Sequence, residues 1–190
     1  MATKGRQKQA ATVLISGGID SAACVQYYLD MGFEVKGLFI DYGQRARNNE
    51  QRSATKVAAY YHVKLDQVSF SCKENYGPGE IRGRNAFLIL AVLLYYPRLK
   101  GIISLGIHSG TPYYDCSSQF IKDITPIIDA YTDGEVKIDA PFLTWEKPAV
   151  YSYCKEKNIP IHLTYSCEAG TNPPCGECSS CKDREALNVL

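Results

Sequence analysis

Apolar positions along this chain alternate between two periods. Short, largely β-branched runs at residues 11–15, 33–40, 63–70, 101–107 and 136–141 read as strands. Between them, residues 20–31, 48–61, 84–96, 117–131 and 147–157 carry apolar side chains at helical spacing. Ala22, Ala23, Val25, Tyr28 and Leu29 form one such stripe, and Gly32 stands where a helix C-terminal glycine belongs. Pro97 closes the strongly apolar helix 84–96, and Pro126 is expected to disturb the helix over 117–131. Residues 71–83, with Gly77-Pro78-Gly79, read as an irregular segment and a candidate lid. Strands alternating with helices predict a doubly wound, mostly parallel five-stranded α/β sheet, Rossmann-like, with ligands beyond the carboxyl ends of its strands. The whole of 1–190 is expected to form one domain, with a metal-binding loop at 164–185.

Composition narrows the function. Basic and acidic side chains number 21 and 20, a net charge of +1, so the chain lacks the footprint of a protein that coats a polyanion. No apolar run is long enough to span a membrane. The N-terminal tail, with Lys4, Arg6 and Lys8, lacks the apolar core of a signal peptide, and the cytoplasm is the expected compartment. In a reducing compartment the eight cysteines point to metal binding rather than disulfides. Cys24, Cys72, Cys116 and Cys154 are scattered, whereas Cys167, Cys175, Cys178 and Cys181 fall within fifteen residues. Four thiolates at this spacing make a closed tetrahedral zinc site, which leaves no open position for water and is therefore structural. An iron–sulfur cluster is the alternative occupant, although Lys182-Asp183-Arg184 stands where a bacterial ferredoxin run would place its next cysteine. His62, His108 and His162 have no metal-ligand spacing.

The richest segment is Ser16-Gly17-Gly18-Ile19-Asp20-Ser21, between the first strand and the first helix. Backbone N–H groups there can surround a phosphate, the helix N-terminus adds partial positive charge, Ser16 and Ser21 can donate hydroxyls, and Asp20 can hold Mg²⁺. It is neither a Walker A sequence nor the dinucleotide fingerprint. The alternative is a plain tight turn with Asp20 as helix N-cap.

Ser-Gly-Gly-x-Asp-Ser directly after a first strand resembles the signature of the PP-loop ATP pyrophosphatases, which split ATP into AMP and pyrophosphate. That resemblance implies that the turn grips pyrophosphate and that Leu38, Phe39 and Ile40 line the adenine site. A wider set of motifs is similar to the QueC family of 7-cyano-7-deazaguanine synthases. It comprises Asp41-Tyr42-Gly43-Gln44-Arg45, Arg84-Asn85, Tyr114-Asp115-Cys116, Ala140-Pro141-Phe142, Lys147, and Thr164 to Cys181. The resemblance implies ATP-dependent conversion of 7-carboxy-7-deazaguanine and ammonia to the nitrile, through an adenylated carboxylate and an amide. It also implies ATP, Mg²⁺ and zinc as cofactors, and the homodimer that family members commonly form.

Within that reading Lys147 and Arg84 are the cations that balance phosphate or carboxylate charge, and Gln44 lies at the ligand-facing end of the second strand. Asn85 and Asp115 are expected on the substrate side, with the Asp115 carboxylate accepting from a purine-like amidine edge; a loop-capping role is its alternative. No cysteine is given a nucleophilic role, because adenylation supplies the leaving group. Residues 71–83 are shorter than the corresponding family loop, and Ile107 to Tyr114 departs from the family's Val-Asn-Ala-x-Asp-Tyr stretch. A QueC-like enzyme of a phage or defence pathway, stopping at the amide or using another amine, is the alternative activity. A non-enzymatic nucleotide-binding module is disfavoured by the missing basic stripe.

Overall fold

The computed structural model describes residues 9–71, 76 and 79–188. The polar tail at 1–8 and, within the candidate lid, residues 72–75, which include Cys72, and 77–78 lie outside the described residues. Five strands, β1 (Ala10–Leu14), β2 (Glu34–Asp41), β3 (Lys64–Ser69), β4 (Gly101–Ser104) and β5 (Val136–Asp139), form one sheet in the order β3-β2-β1-β4-β5. Every pairing is parallel. The strand order reverses between β1 and β4, which opens a crevice at their carboxyl ends.

Helices cover both faces, so the central strands are apolar on both sides. Ala11, Val13 and Ile15 pack with α1 (Ile19–Asp30), α2 (Arg47–Tyr60) and α5 (Lys147–Glu156). Leu14, Leu38 and Ile103 pack with α3 (Arg84–Tyr95) and α4 (Ser118–Thr132) on the other face. No helix among the described residues is long and apolar enough to cross a membrane.

Three sequence expectations need correction. Helix α4 runs unbroken through Pro126. The carbonyl of Lys122 that Pro126 leaves without a donor lies on the exposed face, where water can satisfy it, while Phe120, Ile124 and Ile128 bury the opposite stripe. Strand β4 stops at Ser104 rather than at residue 107. Beyond it, Gly106 lies so close to the start of α1 that a Cβ would sit 2.7 Å from the Ser21 nitrogen, and the chain leaves the sheet there. Third, the cysteine region is not all loop, because α6 (Ser179–Ala186) begins directly after Cys178. Cys181 is its only buried residue, so α6 carries no apolar stripe for periodicity to detect.

Candidate active site

The crevice is an open cleft of about 850 Å³, walled by the ends of β1, β2 and β4, the starts of α3 and α5, and the cysteine segment. Its floor is the turn after β1. Gly17 has φ +84°, and a Cβ there would lie 2.5 Å from the Glu50 carbonyl oxygen, so only glycine lets the turn pack against α2. Gly18 occupies the N-cap of α1 with no side-chain hydrogen bond to the helix. Asp20 is thus inside the helix and is not its cap. The first-turn N–H groups have no capping side chain, the arrangement an anion site requires. Ser16 and Ser21 flank the turn with their hydroxyls 3.3 Å apart, and Ser21 Oγ donates to the Gly18 carbonyl at 3.0 Å.

Lys147, the first residue of α5, reaches Asp20 with Nζ 2.8 and 2.6 Å from the two carboxylate oxygens. Their side chains keep 19% and 20% exposure, so the pair is sheltered yet faces the cleft. A connection distant in sequence thereby puts a cation beside the phosphate-type turn. The turn is braced from the β4 side by Gly106. Gly106→Ala is expected to push the first turn of α1 outward, costing about 1–3 kcal/mol of stability and weakening ATP binding. Thermal melting and nucleotide titration check this; an unchanged nucleotide affinity would separate Gly106 from the site.

Leu38, Phe39 and Ile40 all line the cleft at the end of β2 and are at most 5% exposed, so they serve core and wall together. Gln44 also lines it, but its amide is engaged internally. Oε1 accepts from the Tyr42 N–H at 2.9 Å, and Nε2 donates to the Ile40 carbonyl at 3.2 Å and to Glu50 Oε2 at 2.9 Å. It shapes the β2–α2 turn, so a direct side-chain contact with nucleotide would require breaking these bonds. Burial pushes the Glu50 carboxyl above its usual range, opposed by Gln44 and by the nearby Arg84 charge.

Arg84 and Asn85 begin α3. Asn85 is 3% exposed; its N–H donates to Asp115 Oδ2 at 3.0 Å and its Nδ2 donates to the Asp115 carbonyl at 2.7 Å. Asp115 is buried behind the wall, capping α3, while Arg84 and Asn85 line the cleft. Of the two roles expected for Asp115, the structure shows the carboxylate on the Asn85 N–H, and Asp115 is not among the residues that line the cleft. His108, after β4, lines the cleft with Nδ1 2.5 Å from the Ser109 carbonyl. A carbonyl only accepts, so neutral His108 carries its proton on Nδ1 and offers Nε2 as an acceptor. Burial raises the thiols of Cys24, Cys116 and Cys154, with Cys116 at about 11, which makes them poor nucleophiles.

The sulfurs of Cys167, Cys175, Cys178 and Cys181 all lie within 4.8 Å of one another. Those of Cys175 and Cys181 are 3.9 Å apart, close to the edge of a tetrahedron of thiolates around one ion at about 2.3 Å. Backbone N–H groups of Cys175, Glu177 and Cys178 point at sulfurs from 3.3 to 3.4 Å, which supports thiolate charge. A cluster, whose thiolates each bind a separate iron, would hold the sulfurs farther apart, so the donor set fits a single soft ion. The segment is also part of the cleft. The Tyr165 N–H donates to the Gly17 carbonyl at 2.9 Å, Asn49 Nδ2 to the Gly170 carbonyl at 2.9 Å, and Ser166 and Arg184 line the wall. Glu168 accepts from Ser180 N–H and Oγ at 3.1 and 2.8 Å and from the Gly79 N–H at 3.0 Å. These tertiary links of Glu50, Glu168 and Gly106 leave no mark in sequence spacing.

The sequence and fold have known counterparts. A family model described as queuosine biosynthesis protein QueC matches residues 10–79 and 72–188. The 7-cyano-7-deazaguanine synthase of Prochlorococcus marinus (strain NATL1A) is 30% identical over 209 aligned residues, covering 94% of this chain and 92% of the relative. The 7-cyano-7-deazaguanine synthase 2 of Desulfitobacterium hafniense (strain Y51) is 32% identical, covering 90% and 84%. Among solved structures, NMN synthetase from Francisella tularensis shares the fold at a TM-score of 0.55 and 14% identity, over 96% of this chain and 73% of its own. With its glycine turn, its parallel sheet and its cysteine cluster all falling inside the matched residues, the chain belongs to the QueC family.

Proposed function

We propose that this chain makes 7-cyano-7-deazaguanine from 7-carboxy-7-deazaguanine, ammonia and ATP, as the names of its relatives suggest. The observation that carries the reading is the uncapped N-terminus of α1 behind Gly17, with Lys147 at its mouth. A carboxylate is a poor electrophile at neutral pH. Attack of its oxygen on the α-phosphorus of ATP releases pyrophosphate and converts that oxygen into a leaving group, with no protein nucleophile needed. Ammonia then adds to the acyl carbon and AMP departs with loss of a proton, giving the amide. The amide oxygen attacks a second ATP, and loss of AMP and the remaining N–H protons gives the nitrile.

The protein's share is positioning and charge. The turn 16–21 holds the departing phosphates through its N–H groups and, once they give up their bonds to each other and to the Gly18 carbonyl, through the Ser16 and Ser21 hydroxyls. Lys147 neutralises charge that develops as pyrophosphate leaves, and Arg84 faces the acid from the opposite wall. Leu38, Phe39 and Ile40 form the apolar surface for adenine. Magnesium arriving with ATP would supply further neutralisation at the phosphates, with Asp20 as the nearby carboxylate. Cys167, Cys175, Cys178 and Cys181 would hold one zinc ion in a structural role.

Mass spectrometry of the products formed from ATP, Mg²⁺, ammonium and the acid tests the reading. The expected product is the nitrile, with two AMP released for each acid consumed. Accumulation of amide, or absence of acid-dependent AMP, would overturn it.

A further inference from the structure

A 2-amino-4-oxopyrimidine ring, the recognition edge of any guanine-like base, presents an acceptor oxygen beside a ring N–H and an exocyclic amine. A site that reads it needs a cation or donor next to a carboxylate that still has lone pairs to offer. Asp115 does not meet this need, since it is buried and engaged by Asn85. Glu50 does. It sits in the first turn of α2 and lines the cleft. Its Oε2 is held by the buried Gln44 at 2.9 Å, and its Oε1 has no hydrogen-bond partner among the described residues. The bond from Gln44 fixes the carboxylate and leaves lone pairs on both oxygens.

The neighbours complete the pattern. Arg84, starting α3 on the facing wall, is close enough to Glu50 for their charges to interact. Tyr42 and Tyr76, with ring centroids 6.1 Å apart, add aromatic surface to the same part of the cleft. We propose that Glu50 is the specificity residue that accepts from the ring N–H and exocyclic amine of the deazaguanine acid, while Arg84 donates to its oxo group. This rests on the reading of the substrate given above. The shared chemistry, an exocyclic amine on a fused pyrimidine, also occurs in the adenine of ATP, and the two sources separate kinetically.

Glu50→Gln preserves shape and the bond to Gln44 but aims a donor amide at donors. It is expected to raise KM for 7-carboxy-7-deazaguanine, and its Kd by calorimetry without ATP, roughly tenfold to a hundredfold. KM for ATP should stay within about twofold. Wild-type protein should reject the analogue lacking the 2-amino group, and the variant should bind both acids alike. Glu50→Asp, which restores a carboxylate, should recover part of the discrimination, and it carries the test if Glu50→Gln melts early. A rise confined to KM for ATP assigns Glu50 to adenine and overturns the proposal, as does unchanged discrimination. Wild-type protein that binds no acid at all would instead remove the proposed reaction.

Discussion

Lys147→Met should cut acid-dependent release of AMP and pyrophosphate by roughly a hundredfold to a thousandfold, the scale on which a single preorganised charge stabilises a transition state. The ammonium is positioned for this by α5 and by both oxygens of Asp20. Because only about a fifth of each side chain is exposed and the substitution leaves Asp20 without its partner, it should cost about 1–3 kcal/mol of stability, or roughly 2–12 °C in Tm. Activity and stability should therefore separate. Asp20→Asn should also lose activity, and the double variant should be no worse than the poorer single one, since the two residues act as one unit. A drop of less than tenfold in the Lys147 variant, or a loss matched by unfolding, would reduce the pair to a staple between α1 and α5.

Cys178→Ser is expected to act on the whole cleft. Binding a structural ion is coupled to folding, and three thiolates cannot close the site. A loss of at least about 4 kcal/mol, roughly 10 °C or more in Tm, should accompany loss of metal. ATP affinity should fall with it, although no cysteine need touch ATP. The route is the Tyr165 N–H on the Gly17 carbonyl, the packing of Gly170 against Arg45 and Ala46, and the bridge from Glu168 to Gly79. Chelation of wild-type protein should reproduce both effects, and metal analysis should return about one zinc per chain without the visible absorbance of an iron–sulfur cluster. Metal-free protein that melts and binds ATP like the parent would detach the cysteine site from the cleft.

The contrast between Lys147 and Asp115 explains how far sequence reading reached. Both were charged residues with a plausible partner chemistry. Lys147 follows a strand–loop–helix pattern whose geometry is generic, and it arrives at the turn 16–21. Asp115 lies in a short 3₁₀ turn, Tyr114–Cys116, that no period reveals, and it is drawn under α3 by Asn85. Gln44 was legible as a cleft residue; its bonds to Ile40, Tyr42 and Glu50 were not.

Local pattern alone thus determined the five parallel strands, the phosphate-type turn and the set of four thiolates, because each depends on residues a few positions apart. Hydrophobic period selects strand or helix, glycine permits the positive φ at Gly17, and cysteine spacing limits which sulfurs can meet. Tertiary structure decided what the side chains beside them do. Asp115 came to accept from the Asn85 N–H, Pro126 was tolerated where the Lys122 carbonyl it leaves unpaired meets water, and α6 formed around Cys178 and Cys181 without an apolar stripe. Those outcomes turn on which donors, acceptors and solvent meet across 30 to more than 100 residues of chain, a competition that no window of sequence contains.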